Sequence, residues 1–347
     1  VIFYISVGRL RRPHWLRGWG LIQWAVTLGL VPALLLLFQQ VSLISPLANA
    51  FAIPLIGMLV TPLTLLGALL PFDFLLLAAH GLTAWCMAAL EALSRLPDAV
   101  WQQHVPPLWT LAAALFGIVW MHLPRGFPAR WLGVAGLAPM FLVQPSQPPE
   151  GALWLSVLDV GQGLAVVAQT QHHALLFDTG PRYSSEADSG SRIVVPFLRA
   201  AGIARLDGMI VSHNDSDHSG GAISVLQALP VDWLASSLAA DNAIIAQARR
   251  ALPCYAGQSW QWDGVRFDIL HPARISYADE RIHDNDRSCV LKISTRYGSV
   301  LLPADAEKPA EQRAYKQSGD AFGAGKAQAG QPQQHKVQAV RQEPGRG

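Results

Sequence analysis

Apolar positions crowd the first 143 residues, and charge is missing from them over long distances: residues 18–72 contain no Asp, Glu, Lys or Arg, and neither do 74–90 or 99–124. Uncharged apolar runs of this length are what the hydrocarbon core of a bilayer requires of a crossing helix. The pattern predicts spans near 20–39, 49–71, 74–93, 107–123 and, as a short fifth, 131–143. Pro32, Pro54 and Pro62 lie inside these runs. Membrane helices tolerate proline where neighbouring segments or side chains re-satisfy the freed carbonyls, so the prolines argue for a packed bundle. Trp19, Trp24, Trp101, Trp109, Trp120 and Trp131 fall close to the predicted span ends, as an aromatic belt would.

The pattern changes after a Pro-rich linker, 144–152, which contains Gln144-Pro145-Ser146-Gln147-Pro148-Pro149. Short apolar runs at 153–160, 164–168, 174–178 and 206–211 predict strands, as do 260–270 and 289–302. A helix is expected from Arg192 to Ala201, and Ile223, Leu226 and Leu229 follow helical spacing. Strands with interleaved helices predict an α/β sandwich over 153–315. From 316 to 347 large apolar side chains almost vanish among Gln, Gly and Ala, which predicts a disordered tail. The expected organisation is an all-α polytopic membrane bundle over 1–143, the linker, the sandwich and the tail.

Composition sharpens this picture. With 51% hydrophobic and 14% charged residues, the chain lies off the soluble average, which disfavours the competing reading of a large soluble protein with buried helices. Arg9, Arg11, Arg12 and Arg17 precede the first predicted span, and Arg125 and Arg130 separate the last two, which places both basic segments in the cytoplasm. Five crossings from an inside start put everything after about residue 144 on the outer face; were the short fifth run not a span, the domain would flip inside. A net charge of +2 gives no global attraction for a polyanion. The three cysteines, Cys86, Cys254 and Cys289, match no zinc-knuckle spacing; a disulfide between Cys254 and Cys289 is compatible with an outer location. The chain begins with Val and shows no signal peptide, and the expectation is a fragment of a longer polytopic protein.

The chemistry concentrates in Ser212-His213-Asn214-Asp215-Ser216-Asp217-His218-Ser219-Gly220-Gly221, directly after the apolar run ending at Val211. On a strand-to-helix loop this spacing can aim His213 and Asp215 at one cation and Asp217 and His218 at a second. Two such ions activate water and hold the attacking and leaving oxygens of a phosphodiester. Asp305, at the end of a later strand, is the expected bridging carboxylate. A solvated acidic loop or a calcium site on Asp215 and Asp217 are the alternatives, but two histidines argue against calcium, which prefers oxygen. His172-His173 reads as a hydrophilic turn, His80 as a polar residue of the bundle and His104 as an outer-loop residue.

The cluster resembles the metallo-β-lactamase superfamily signature His-x-His-x-Asp-His, with Asp215 standing where the second histidine usually stands. Together with Leu158-Asp159-Val160-Gly161-Gln162-Gly163, Phe177-Asp178-Thr179-Gly180 and a polytopic segment carrying Ser42-Leu43-Ile44-Ser45-Pro46-Leu47-Ala48-Asn49, it resembles the ComEC family of DNA-internalisation competence proteins over about residues 10–313. The resemblance implies an αββα sandwich and a plasma-membrane channel that admits one DNA strand during natural transformation. It further implies an extracytoplasmic metal-dependent nuclease-like domain that degrades the other strand, and partnership with membrane lipid and other competence proteins. Carried over residue by residue, it implies metal ligands at His213, Asp215, Asp217, His218 and Asp305, a catalytic role for Asp217, and two divalent ions, zinc or manganese. It leaves the third ligand position between Asp286, in His283-Asp284-Asn285-Asp286-Arg287-Ser288, and His271, with Asp286 preferred.

Two departures matter. Ala304 replaces the glycine that usually precedes the bridging aspartate, at a tight turn. The family also continues with a His-His-Gly-Ser motif and further strands where this chain turns into its Gln/Gly/Ala tail, as a frameshift or truncation would produce. The expected sandwich is therefore incomplete, short of one ligand, with open strand edges and an activity left in question. Arginines scattered through the domain, among them Arg182, Arg192 and Arg199, signal DNA contact only weakly. Two further readings stay open: a membrane-anchored metallo-phosphodiesterase outside transport, and a domain that binds or gates the strand without cutting it. Gln39, Gln40 and Asn49 in or beside the bundle favour a pathway over an anchor.

Overall fold

The computed structural model describes residues 15–96, 99–123, 126–278, 282–306 and 336–337. It divides into two compact units, Val1–Pro145 and Ser146–Gly347.

The first unit is helical: α1 (Trp15–Phe38), α2 (Ser45–Leu69), α3 (Asp73–Ser94), α4 (Leu108–Met121) and α5 (Gly133–Leu142), with a two-stranded antiparallel ribbon of β1 (Gln40–Ser42) and β2 (Val100–Gln102). Helices α2 and α3 are long and apolar enough to cross a membrane. At 1.5 Å per residue they reach about 37 and 33 Å, beyond a hydrocarbon core of about 30 Å. Only 6% and 11% of their most apolar windows is buried, and Met58, Leu69 and Leu77 face outward at 75%, 81% and 70% exposure. In water such surface would be a large penalty, so it argues against the soluble reading. Among the described residues the other apolar stretches, Gln23–Phe38 within α1, Leu108–Met121 and Arg130–Leu142, are shorter, so two helices meet the length of a crossing where composition led to an expectation of five. Around Pro54 and Pro62 the α2 backbone opens into a π-helical turn, Leu55–Val60, and Thr61 and Thr64 donate hydroxyls to the Ile56 and Val60 carbonyls.

The second unit has two sheets. The larger runs in the order β13 (Lys336–Val337), β3 (Trp154–Val157), β4 (Val166–Gln169), β5 (Ala174–Phe177), β6 (Gly208–Val211), β7 (Leu234–Ser236), β8 (Ala251–Pro253). Its β13-β3-β4-β5 part is antiparallel and its β5-β6-β7-β8 part parallel. The smaller, fully antiparallel sheet runs β12 (Gly298–Leu302), β11 (Val290–Thr295), β10 (Val265–His271), β9 (Ser259–Trp262). Phe177, Ile210, Phe267, Ile269 and Leu291 fill the space between the sheets, while Leu176, Met209 and Val211 point the other way against Leu198 and Val195 of α6 (Val195–Ala200) and Val225 of α8 (Ala222–Ala228). Covered on both faces, β5 and β6 carry unbroken apolar runs instead of an alternation.

This is a metallo-β-lactamase-like α/β fold. Among the described residues its helices α6 and α8 pack on the larger sheet, so the second outer helix layer of the expected αββα sandwich is not seen there. Most of the tail, 307–335 and 338–347, lies outside the described residues, and the expectation of disorder with it; Lys336–Val337 pairs with β3.

Candidate metal centre

Parallel strands β5 and β6 end side by side, and both deliver polar residues at their carboxyl ends, where open α/β sheets hold ligands. Strand β6 runs into Ser212-His213-Asn214-Asp215, followed by the single turn α7 (Ser216–Ser219). His213 is fully buried and His218 3% exposed, with ring centroids 4.3 Å apart. Ligand atoms of His213, His218 and Asp305 all lie within 4.8 Å of one another. Asp305 Oδ1 stands 3.2 Å from His218 Nε2, Asp215 Oδ2 3.3 Å from His213 Nε2 and Asp217 Oδ2 4.0 Å from His218 Nε2, and the three carboxylates are 46%, 48% and 37% exposed. Buried imidazoles thus form the floor, and carboxylates open to solvent form the rim.

Asp178, immediately after β5 and fully buried, organises this floor. Its Oδ1 accepts the Ser212 N–H at 2.7 Å; its Oδ2 accepts the Ser212 hydroxyl and sits 2.8 Å from His218 Nδ1. Ser212 Oγ is also 2.9 Å from His213 Nδ1. The proton inventory follows from valence. The Ser212 hydroxyl has one hydrogen and gives it to Asp178, so His213 must carry its hydrogen on Nδ1 and leave Nε2 bare. His218 likewise donates from Nδ1 to Asp178 and presents Nε2 inward. His213 Nε2 is a buried nitrogen with no hydrogen-bond partner, and the carboxylate 3.3 Å away is also an acceptor. Facing lone pairs of this kind are relieved by a cation, and a metal-ligating histidine anchored through its other nitrogen is the expected companion of one. Burial lowers the His218 pKa, but the hydrogen bond and charge of Asp178, then Asp305 and Asp217, outweigh it and raise it above the ordinary value. The pocket attracts positive charge.

The surrounding backbone explains the glycines. A Cβ on Gly221 would collide with the Gly190 amide, and one on Gly220 with the Arg182 amide. Thr179 N–H and Oγ1 both reach the His218 carbonyl, at 2.8 and 3.0 Å. Ser237 Oγ and Cys289 N–H donate to the Ser212 carbonyl at 2.6 and 3.0 Å, and Asn242 Nδ2 donates to Asn214 Oδ1 at 2.9 Å. Cys254, after β8, and Cys289, before β11, are joined as a disulfide with their Cα atoms 6.1 Å apart, linking the two sheets beside the loop.

Of the residues expected from sequence, His213, His218 and Asp305 come together, and Asp215 and Asp217 flank them. Asp286 sits in the 3-10 turn Asn285–Arg287 and is not in the gathered group. His271 ends β10, buried, with Nδ1 3.0 Å from the Ser288 carbonyl. His172 and His173 form the β4–β5 turn, against Asp263 and Asp207 respectively. Asp178 and Ser212 were missed as functional residues; their signal is a carboxylate and a hydroxyl closing two adjacent apolar strands.

Comparison with known proteins agrees with this geometry. The family model described as "Competence protein" matches residues 2–128, and that of the metallo-beta-lactamase superfamily matches residues 158–338. The chain is similar to "Competence protein ComA" of Neisseria gonorrhoeae (34% identity over 90% of this chain and 42% of the relative). It is also similar to "Uncharacterized protein YcaI" of Escherichia coli (33%, over 84% and 37%) and to "ComE operon protein 3" of Bacillus subtilis (28%, over 82% and 40%). It spans less than half the length of these relatives. Among solved structures it is similar to the metallo-beta-lactamase fold protein YhfI of Bacillus subtilis, with TM-score 0.29 and 14% identity over 44% of this chain and 63% of that one. The chain belongs to the metallo-beta-lactamase superfamily and carries, ahead of that domain, a competence-protein domain.

Proposed function

We propose that the chain works in the uptake of single-stranded DNA during natural transformation, with the helical unit crossing the plasma membrane several times as part of the strand's path. Its second unit acts on the outer face as a metal-dependent nuclease-like domain that degrades the non-entering strand. The observation that carries this reading is the convergence of two buried imidazoles and the Asp305 carboxylate within 4.8 Å, in a chain that also carries two helices able to cross a bilayer.

His213, His218 and Asp305 form the nucleus of the ligand set, with Asp215 and Asp217 at the rim. Asp286 is the proposed outer ligand, because the segment it begins reaches the loop through the Cys289 N–H on Ser212. The orphaned His213 Nε2 and the acceptor-only lining fit divalent cations, proposed as two ions, zinc or manganese. When bound, such ions supply Lewis-acid polarisation of a phosphodiester and a nucleophilic water at neutral pH. The chain's own residues do the rest. Asp178 fixes the His218 tautomer, the Ser212 hydroxyl fixes that of His213, and Asp217 Oδ2, partly open to solvent, is the proposed catalytic carboxylate that takes up the proton of the attacking water. The Cys254–Cys289 disulfide supports the extracytoplasmic placement, since such bonds persist in oxidising compartments. Membrane lipid and other competence proteins are the proposed partners.

His218→Ala, expressed in a transformable host, is expected to lose bound metal and to reduce transformation; unchanged metal content and unchanged transformation would refute the reading. A membrane-anchored phosphodiesterase outside transport is favoured by one observation, that α2 and α3 alone suffice as an anchor. It predicts that deleting the helical unit, and replacing it with an unrelated anchor, leaves DNA uptake unaffected.

A further inference from the structure

The β3–β4 connection, Asp159-Val160-Gly161-Gln162-Gly163-Leu164, carries a motif that the metal chemistry does not use. It lies directly against the centre: a Cβ on Gly163 (φ +135°) would collide with the Asp217 carbonyl, and the Leu164 N–H donates to that same carbonyl at 3.1 Å. Gly161 (φ +79°) turns the loop, its amide held by Asp159 Oδ1 at 3.3 Å. The next two amides, of Gln162 and Gly163, donate to no acceptor among the described residues, and both residues are exposed. Consecutive free amides on a glycine-bracketed loop suit an anionic oxygen.

A second segment, Pro181-Arg182-Tyr183, runs alongside. The Arg182 amide touches Gly220 at the end of α7, and Tyr183 Oη donates to the Val160 carbonyl at 2.8 Å. The Tyr183 ring is therefore pinned at its tip, yet the residue is 45% exposed. Asp159, Arg192 and Asp188 all lie near enough to act on the Tyr183 hydroxyl electrostatically, Arg192 being the cation among them. Arg182 and Arg192 are both exposed, and neither has an ion-pair partner among the described residues, where Arg95, Arg205 and Arg266 are paired. Asp188, a buried acid of the same segment, is already engaged by Ser191 N–H and Ser224 Oγ.

We infer that these two segments form the lip that holds a single DNA strand at the metal centre. Arg182 and Arg192 take backbone phosphates, the Gln162 and Gly163 amides take a non-bridging oxygen of the phosphate nearest the centre, and one base stacks on Tyr183. Unpaired cations tracking a backbone beside a fixed, exposed ring is how sequence-independent single-strand sites are built. The inference rests on the proposed nuclease reading for its substrate class.

The test is fluorescence anisotropy of a labelled oligothymidine with the full chain in detergent, in EDTA, across a salt series. Replacing both Arg182 and Arg192 by Ala is expected to flatten the slope of log affinity against log salt by about 1.4, at roughly 0.7 per lost single-strand phosphate contact. Tyr183→Ala is expected to weaken binding about five- to 150-fold, the span of base stacking on an aromatic platform. Tyr183→Trp should bind at least as tightly as the parent. Unchanged affinity and slope in the Ala variants, or preference for duplex over single strand, would overturn the lip. Should Tyr183→Ala also lose bound metal, its fold is damaged, and the arginine pair and Tyr183→Trp decide. Cleavage and metal assays on the same proteins separate the two ideas: lip binding without cleavage or metal in the parent defeats the nuclease reading alone, whereas cleavage with unaffected lip variants defeats the lip alone.

Discussion

Asp178 shows how one carboxylate can set a whole site. It sits at φ +57°, a left-handed conformation that Asp and Asn tolerate better than other residues, and spends both oxygens on Ser212 and His218. Asp178→Asn keeps the backbone but replaces one acceptor oxygen by an NH2 that cannot receive the His218 proton. Metal affinity is expected to fall about 10- to 100-fold, the usual cost of losing an outer-shell partner, read by metal titration of the purified chain with folding monitored in parallel. Ala304 is a second single-residue lesson. At φ +50° next to Asp305, it holds the strained conformation anticipated for an alanine in a glycine's place. Ala304→Gly is expected to raise stability by about 0.5–1 kcal/mol, the left-handed penalty for a Cβ less the chain entropy glycine adds, seen as a higher unfolding midpoint. The gathered residues His213, His218 and Asp305 were legible because imidazoles and carboxylates at tight spacing have few other uses. Asp178 was not, because its role depends on β5 and β6 lying adjacent, which no local pattern encodes.

Elements were legible to different degrees for physical reasons. The apolar runs gave β4, β5 and β6, since strands buried on both faces must be apolar throughout, and the alternation Val265, Phe267, Ile269 inward against Arg266 and Asp268 gave β10 as a one-faced strand, but nothing in them dictates that seven strands join one sheet in the order found. The π-helical turns Leu55–Val60 and Gly190–Val194 were hidden, because a widened turn keeps the same apolar composition as the helix around it. The tight β9–β10 hairpin turn, Asp263-Gly264, both at positive φ, does more than reverse the chain. Asp263 reaches across to the β4–β5 turn, accepting from Thr170 Oγ1 and His172 N–H, each at 2.7 Å, and lying 3.1 Å from His172 Nδ1. Burial alone would raise its pKa, but the hydrogen bonds from His172 and Thr170, with His173 nearby, hold it down at about 2. A depressed carboxylate stabilises the fold above its unfolded pKa and loses that contribution as pH falls through the folded value. Asp263→Asn is expected to cost about 1–2 kcal/mol at pH 7, a shift of this size discounted for solvent screening, with the gap to the parent closing between roughly pH 4 and pH 2. Denaturant unfolding across that pH range checks both size and direction. In the helical unit, α4 and α5 touch through Gly117, Gly133 and Gly136: a Cβ at Gly136 would stand 2.6 Å from the Ala113 carbonyl, and one at Gly117 would strike that of Gly133. Gly117→Leu is expected to separate these helices, and loss of a cysteine crosslink placed across them would report it.

At the scale of the whole molecule the deciding question is which side of the membrane carries the second unit. Arginine bias with the five crossings expected from sequence puts it outside, whereas an even number, such as α2 and α3 alone, puts it inside. The disulfide supplies an independent argument. Cys254 follows the edge strand of the larger sheet and Cys289 leads into the smaller one, so their bond ties the sheets together where the Cys289 N–H supports Ser212. In a cytoplasm kept reducing by thiols this bond would not persist; outside it would. Cys86, buried in α3, is the remaining thiol. Cells quenched in acid and denatured in PEG-maleimide should therefore yield one adduct per chain, rising to three after reduction. Three adducts without reductant would mean free thiols at 254 and 289 and would remove the chemical support for an outer domain. Cys289→Ser in the same assay should give two adducts. In the purified chain it should loosen the Ser212 support, so that metal affinity falls while the apolar helices insert as before.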